Sequence, residues 1–150
     1  MTDFPLPALT RTAPAWRLAV PARSATLVAV AIAAAAAYLS GNPAATAQAV
    51  QQSGDELTLL LRFMAVVKAV LALGALAAVI WRLGHPASAV IALSYAGSTV
   101  LMGAAPVLIW QMAHVAGGAA LFHLGLLLLV VALFADRGQV QELAKATIRH

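Results

Sequence analysis

The chain has 150 residues, of which 63% are hydrophobic and only 9% charged, against roughly 45–50% and about 25% in ordinary soluble proteins. It carries a formal net charge of +4 and no cysteine, which excludes disulfide scaffolds, thiolate catalysis, Cys-ligated zinc and iron–sulfur clusters. Its nine Lys and Arg are spread along the whole length and make no patch, so nucleic acid is excluded as a partner, as are a disordered chain and a soluble enzyme.

Two intervals lack Asp, Glu, Lys and Arg altogether: 24–54, of 31 residues, and 83–135, of 53 residues. A bilayer core takes about 20 apolar residues per helix, so the longer interval holds two crossings. The pattern predicts an all-α polytopic membrane protein, four transmembrane helices in an up-down bundle at about 24–40, 57–82, 86–106 and 116–135. Residues 1–23 precede this 24–135 domain and 136–150 form a tail. Arg11, Arg17, Arg23, Arg82, Arg137, Lys145 and Arg149 all fall on one side of that arrangement, whereas Asp55 and Glu56 fall on the other. By the positive-inside rule both termini are cytoplasmic, in a bacterial-type inner membrane.

In chain order, Pro5, Pro7, Pro14 and Pro21 forbid a continuous helix before the first span, and Trp16 suits the membrane interface. The first span is rich in alanine, unbroken from Ala33 to Ala37; it buries little area and is suited to packing against protein. Arg17, Arg23, the apolar stretch 25–39 and Ala45-Thr46-Ala47 also have the layout of a secretory signal with its A-x-A site. The long region before the apolar stretch favours an uncleaved span. Gly41-Asn42-Pro43 ends that helix, and 44–56 reads as a small, polar loop.

The second helix begins near Asp55 or Thr58, where acids suit the positive end of a helix dipole, and runs to Arg82. Gly84-His85-Pro86 reads as a turn with proline opening the third helix. That helix extends to about Gly103, with Pro106 ending or kinking it. Trp110, Gln111 and His114 then mark an interface within a hairpin at 104–118. The fourth helix reaches Phe134, Asp136-Arg137-Gly138 closes it, and 139–150 reads as a short polar surface helix. Small residues recur at helical spacing: Ala65, Ala69 and Ala72 on the second helix, Ala92, Ala96, Thr99 and Gly103 on the third, Ala116, Ala119 and Ala120 on the fourth. Such residues let helices approach closely in lipid.

Four basic side chains are the candidate ligand-binding residues. Lys68 lies ten residues beyond Thr58, about 15 Å into the membrane, where an ionisable residue is functional by default. His123 falls at a comparable depth on the fourth helix, so the two predict a shared pocket inside the bundle. Arg62 and His114 sit nearer the outer interface, with Asp55 placed to form a solvated pair with Arg62. All five carboxylates (Asp3, Asp55, Glu56, Asp136, Glu142) fall outside the spans, leaving a charged Lys68 without a counter-ion at its own depth.

No catalytic residue, metal set or cofactor is predicted. Haem b would need two facing ligands, and His114 and His123, nine residues apart, stand about half a turn out of phase. With no acid in the spans, a proton-coupled transporter is disfavoured. The expectation is a non-enzymatic accessory subunit or assembly factor of a larger inner-membrane complex, respiratory or photosynthetic in type. Its partners are the lipid bilayer and other membrane subunits or further copies of itself. The alternative is a membrane protein or carrier binding a quinone, lipid or anion through Lys68 and His123.

Overall fold

The computed structural model describes residues 16–148 apart from Pro86 and Ala113, with side chains described over 21–137. It is all-α, with helices α1 (Trp16–Leu39), α2 (Pro43–Arg82), α3 (Ala89–Trp110) and α4 (Val115–Ile148). Each contains a stretch long and apolar enough to cross a membrane. The proline-spaced segment before Trp16, and the interfacial placing of the Trp16 side chain, lie outside the described residues.

The helices are longer than the apolar runs that announce them. Pro21 lies inside α1 rather than before it. A proline near a helix start forfeits only one bond, here to the Arg17 carbonyl, and the helix survives it. The expected loop at 44–56 is helical. Asn42 caps it, its Oδ1 accepting from the backbone N–H of Ala44 at 3.0 Å and of Ala45 at 3.4 Å, and Pro43 occupies the first helical position. This capped segment ends at Gly54, whose φ of 71° and ψ of 170° break α2 into two helices. Only glycine adopts that conformation without strain. The apolar part of α2 therefore begins at Asp55.

Ser88 caps α3, its hydroxyl accepting from the Ile91 N–H at 3.4 Å, so α3 starts at Ala89 rather than at Pro86. The helix runs through Pro106 to Trp110, which shrinks the hairpin to residues 111–114. Met112, at φ 57°, turns the chain there. Gly138 does not stop α4, and the expected separate helix at 139–150 is a continuation of it to Ile148.

Helix α3 is the hub. It packs against α1, α2 and α4, which make few contacts with one another. Its buried residues include Ile91, Tyr95, Ser98, Thr99, Met102, Ala105 and Ile109. The polar ones turn back on their own helix, Ser98 Oγ donating to Tyr95 O at 2.8 Å and Thr99 Oγ1 to Ala96 O at 2.9 Å, which spares hydrocarbon an unpaired hydroxyl. Side chains such as Leu59, Phe63, Val70 and Leu73 are left exposed, as suits surfaces turned to lipid.

Close approach of α3 and α4 rests on glycine, not on the alanine stripe expected for the fourth helix. Ala116 and Ala120 are exposed. A Cβ at Gly118 would stand 2.9 Å from the Ala105 carbonyl oxygen, and one at Gly125 2.8 Å from that of Ser98. On α2 the expected residues Ala65 and Ala72 are indeed buried. Gly103 of α3 faces Val30 of α1, 2.9 Å from where its Cβ would be.

At the other end of α2, Arg82 and Asp136 form a bidentate pair, Nε to Oδ2 and Nη2 to Oδ1, both at 2.6 Å. The Tyr95 hydroxyl donates to Oδ2 at 3.0 Å. Asp136 is 6% exposed and Tyr95 1%, so this carboxylate is enclosed by protein rather than solvated. The α4 helix continues past it and turns it onto α2 and α3. Beside this clasp, Arg23 of α1 donates from Nε to Ile80 O at 2.9 Å. A Cβ on Gly84 would collide with that guanidinium.

Candidate ligand-binding cleft

The four basic residues singled out by sequence end in four different surroundings. Arg62 and Lys68 are six residues apart on α2, about 120° around the helix, and face opposite flanks. Arg62 looks toward α1 and the end of α3. Its guanidinium carbon lies 5.3 Å from the centroid of the Trp110 ring, a cation–π arrangement. The expected Arg62–Asp55 pair does not form; among the described residues the ion pair is that of Arg82 and Asp136.

Lys68 looks toward α4, its Nζ 4.2 Å from the Phe122 ring centroid. His123 is next to Phe122 and so shares the level of Lys68, but it is exposed. Its Nδ1 is 2.7 Å from Ala119 O on its own helix. A carbonyl only accepts, so Nδ1 carries the proton and donates. The structure thus turns His123 out of the bundle, and the expected common pocket with Lys68 is not among the described cavities. His114 is exposed and lines a cleft of about 370 Å³ with Ser40, Asn42, Gln48, Gln52 and Met112.

The most developed site lies around Arg62. A cleft of about 650 Å³ opens between the capped segment of α2 and the ends of α1 and α3, lined by Tyr38, Leu39, Gly41, Pro43, Thr46, Ala47, Val50, Gln51, Arg62 and Gln111. It shares Tyr38 and Gln111 with a second, apolar cleft of about 270 Å³ that follows α2 and α3 along Ala65, Val66, Ala69, Pro106, Val107 and Trp110. The two adjoin as one groove, whose head carries the polar side chains Arg62 and Gln111 and whose leg is almost wholly apolar.

The local sequence explains the polar head. Asn42 and Pro43 start a helix directly after α1, and Gly54 breaks it, so residues 43–53 fold over the bundle end. Gly41 has no side chain, and the Gln111 amide packs where a Cβ would stand. From there Gln111 Nε2 donates to Tyr38 O at 2.8 Å. This leaves Gln111 Oε1 buried without a partner, and Arg62 Nε is in the same condition, as is Thr58 Oγ1 one turn away. All the buried side-chain N and O atoms lacking partners among the described residues gather at this one end. Such atoms cost roughly 1–3 kcal/mol each when left unmatched.

Chemically the head offers an N–H donor on a permanent cation and an amide acceptor. A group presenting an anionic or carbonyl oxygen to Arg62 and a hydroxyl to Gln111 would satisfy both. The leg offers only hydrocarbon contact. Among the described residues no three His, Asp or Glu side chains gather as metal ligands. No known protein family, characterised protein or solved structure matches the chain.

Proposed function

We propose that this protein binds an anionic amphiphile, without transforming it, in the groove whose head is formed by Arg62 and Gln111. The ligand's head carries an acid oxygen and a hydroxyl, and its chain lies along Ala65, Ala69, Pro106 and Val107. The observation that carries this reading is the pairing of an unmatched Arg62 Nε with an unmatched Gln111 Oε1 at the mouth of an apolar groove. It moves the small-ligand alternative from Lys68 and His123 to Arg62. The groove also requires α1 to be retained as a span, since Tyr38 and Gly41 form part of its wall.

The proposal includes an alternating bundle in a bacterial-type inner membrane, with both termini cytoplasmic and the groove in the outer leaflet. Contacts between helices support alternation. Residue numbers rise together between α1 and α3 (Val30 with Gly103, Tyr38 with Gln111) and between α2 and α4 (Lys68 with Phe122, Arg82 with Asp136). They oppose between α3 and α4 (Ala105 with Gly118, Ser98 with Gly125). The basic residues flanking the spans support that sidedness.

The test is a titration of the purified full chain with oleoyl lysophosphatidylglycerol and with zwitterionic oleoyl lysophosphatidylcholine. Trp110 fluorescence is read in a Trp16→Phe, Trp81→Phe background. The anionic ligand is expected to saturate the signal, and Arg62→Gln to weaken it roughly tenfold or more, the worth of a hydrogen bond to a charged group. Equal affinity of the two lipids, or no effect of Arg62→Gln, overturns the reading.

A further inference from the structure

We infer that the flank of the bundle between α2 and α4 docks a transmembrane helix of another protein, one that carries an aspartate or glutamate near the middle of its span. The inference is independent of the Arg62 groove, which lies on the opposite flank of α2.

Its basis is the position of the Lys68 amine and of every described carboxylate. Lys68 stands ten residues after Thr58 and 14 before Arg82, about 15 Å and 21 Å along the helix. It is therefore central in a core some 30 Å thick. Because Phe122 stands 14 residues before Asp136 as Lys68 stands 14 before Arg82, an Nζ directed at Phe122 stays near the depth of its own backbone. It is held level with Phe122, 4.2 Å from the ring centroid, and the residue is half-buried. Phe122 is itself buried against α3, so the ring fixes the ammonium sideways at the seam of α2 and α4. Those two helices scarcely touch, and the lip of the seam is apolar and open, with Met64 and Leu71 on α2 and Leu126 on α4 exposed.

Among the described residues no acid meets that amine. Asp55 and Glu56 are 13 and 12 residues away on α2, about 20 Å and 18 Å. Asp136 lies 14 residues from Phe122 on α4, about 21 Å, and is engaged by Arg82 and Tyr95. Glu142 is farther still along the same helix. A second copy of the chain would bring the same lysine and the same acids at the span ends. An anionic lipid head stays at the membrane surface. A carboxylate at mid-depth comes only on another protein's helix, where it too needs a partner, since a membrane acid is as costly as a membrane lysine.

The experiment places a photoreactive phenylalanine analogue at Leu126 of the full chain in its native membranes and identifies the adducts by mass spectrometry. The expected adduct is one protein whose crosslinked span contains a central Asp or Glu. Lys68→Met is expected to lower its yield roughly tenfold or more, as loss of one member of a buried charge pair does, whereas Lys68→Arg and Arg62→Gln retain it. Replacing the partner's acid by its amide is expected to lower the yield equally, which reads the contact without altering this chain. The inference is overturned by adducts formed only with lipid or with a second copy, by a partner lacking a central acid, or by a yield indifferent to Lys68→Met.

Discussion

Replacing Asp136 by leucine is expected to destabilise the bundle by about 3–5 kcal/mol, the range seen when one member of a buried ion pair is removed. The Arg82 and Asp136 side chains are 18% and 9% exposed, so solvent screens little of the charge left behind. The variant removes the carboxylate that faces the Arg82 guanidinium and takes from Tyr95, 1% exposed, the acceptor of its hydroxyl. The double variant Arg82→Met, Asp136→Leu is expected to recover most of the loss, because replacing both charges by packed apolar groups is often neutral or better. Thermal unfolding in detergent, followed by loss of helical circular dichroism, measures both. If the double variant is as unstable as the single one, the pair does not act as a unit.

The second large effect is expected at Gly125. Valine there would drive its side chain into the Ser98 carbonyl and Met102, whose Cγ lies 2.8 Å from where a Cβ would sit. Backbone cannot rotate away as a side chain can, so α4 must lift from α3. Overpacking of this kind costs about 1–3 kcal/mol, and the high end is expected because a helix rather than a rotamer has to move. Gly74→Ala is the control: nothing lies within 4 Å of its would-be Cβ, and alanine there is expected to gain up to about 1 kcal/mol from helix propensity. Equal melting temperatures for wild type and Gly125→Val would show that the helices do not approach through that glycine.

Much of this architecture is legible in the sequence, and the parts that are not have definite causes. The charge-free intervals locate the apolar helices because the cost of charge in hydrocarbon is imposed residue by residue. Helix ends are less well announced. Polar composition at 44–56 suggests a loop, but Asn42-Pro43 is a capping residue followed by proline at the first helical position, which is a helix-start signal. The charge-free interval also points to the clasp: Arg82 and Asp136 bracket its 53 residues, and two spans folded back on each other return its ends to one level. What periodicity could not supply is rotation about the helix axis. A single turn decides whether His123 faces α2 or lipid, and that turn is set by Gly118 and Gly125 seeking the backbone of α3. The fate of Arg62 was hidden for a similar reason, since its separation from Asp55 and its approach to Trp110 depend on tertiary packing.

The order of synthesis gives the hub arrangement a consequence in time. Arg82 and Tyr95 leave the ribosome well before the carboxylate that completes their clasp, for Asp136 is encoded 54 residues after Arg82. At ~5–20 residues per second the interval is about 3–10 s. For about the second half of it α3 is complete but lacks the glycine-bearing neighbour that covers Ser98 and Met102. The fourth helix is thus the one that completes the clasp and covers the glycine-facing side of α3, and until it arrives that side stays open.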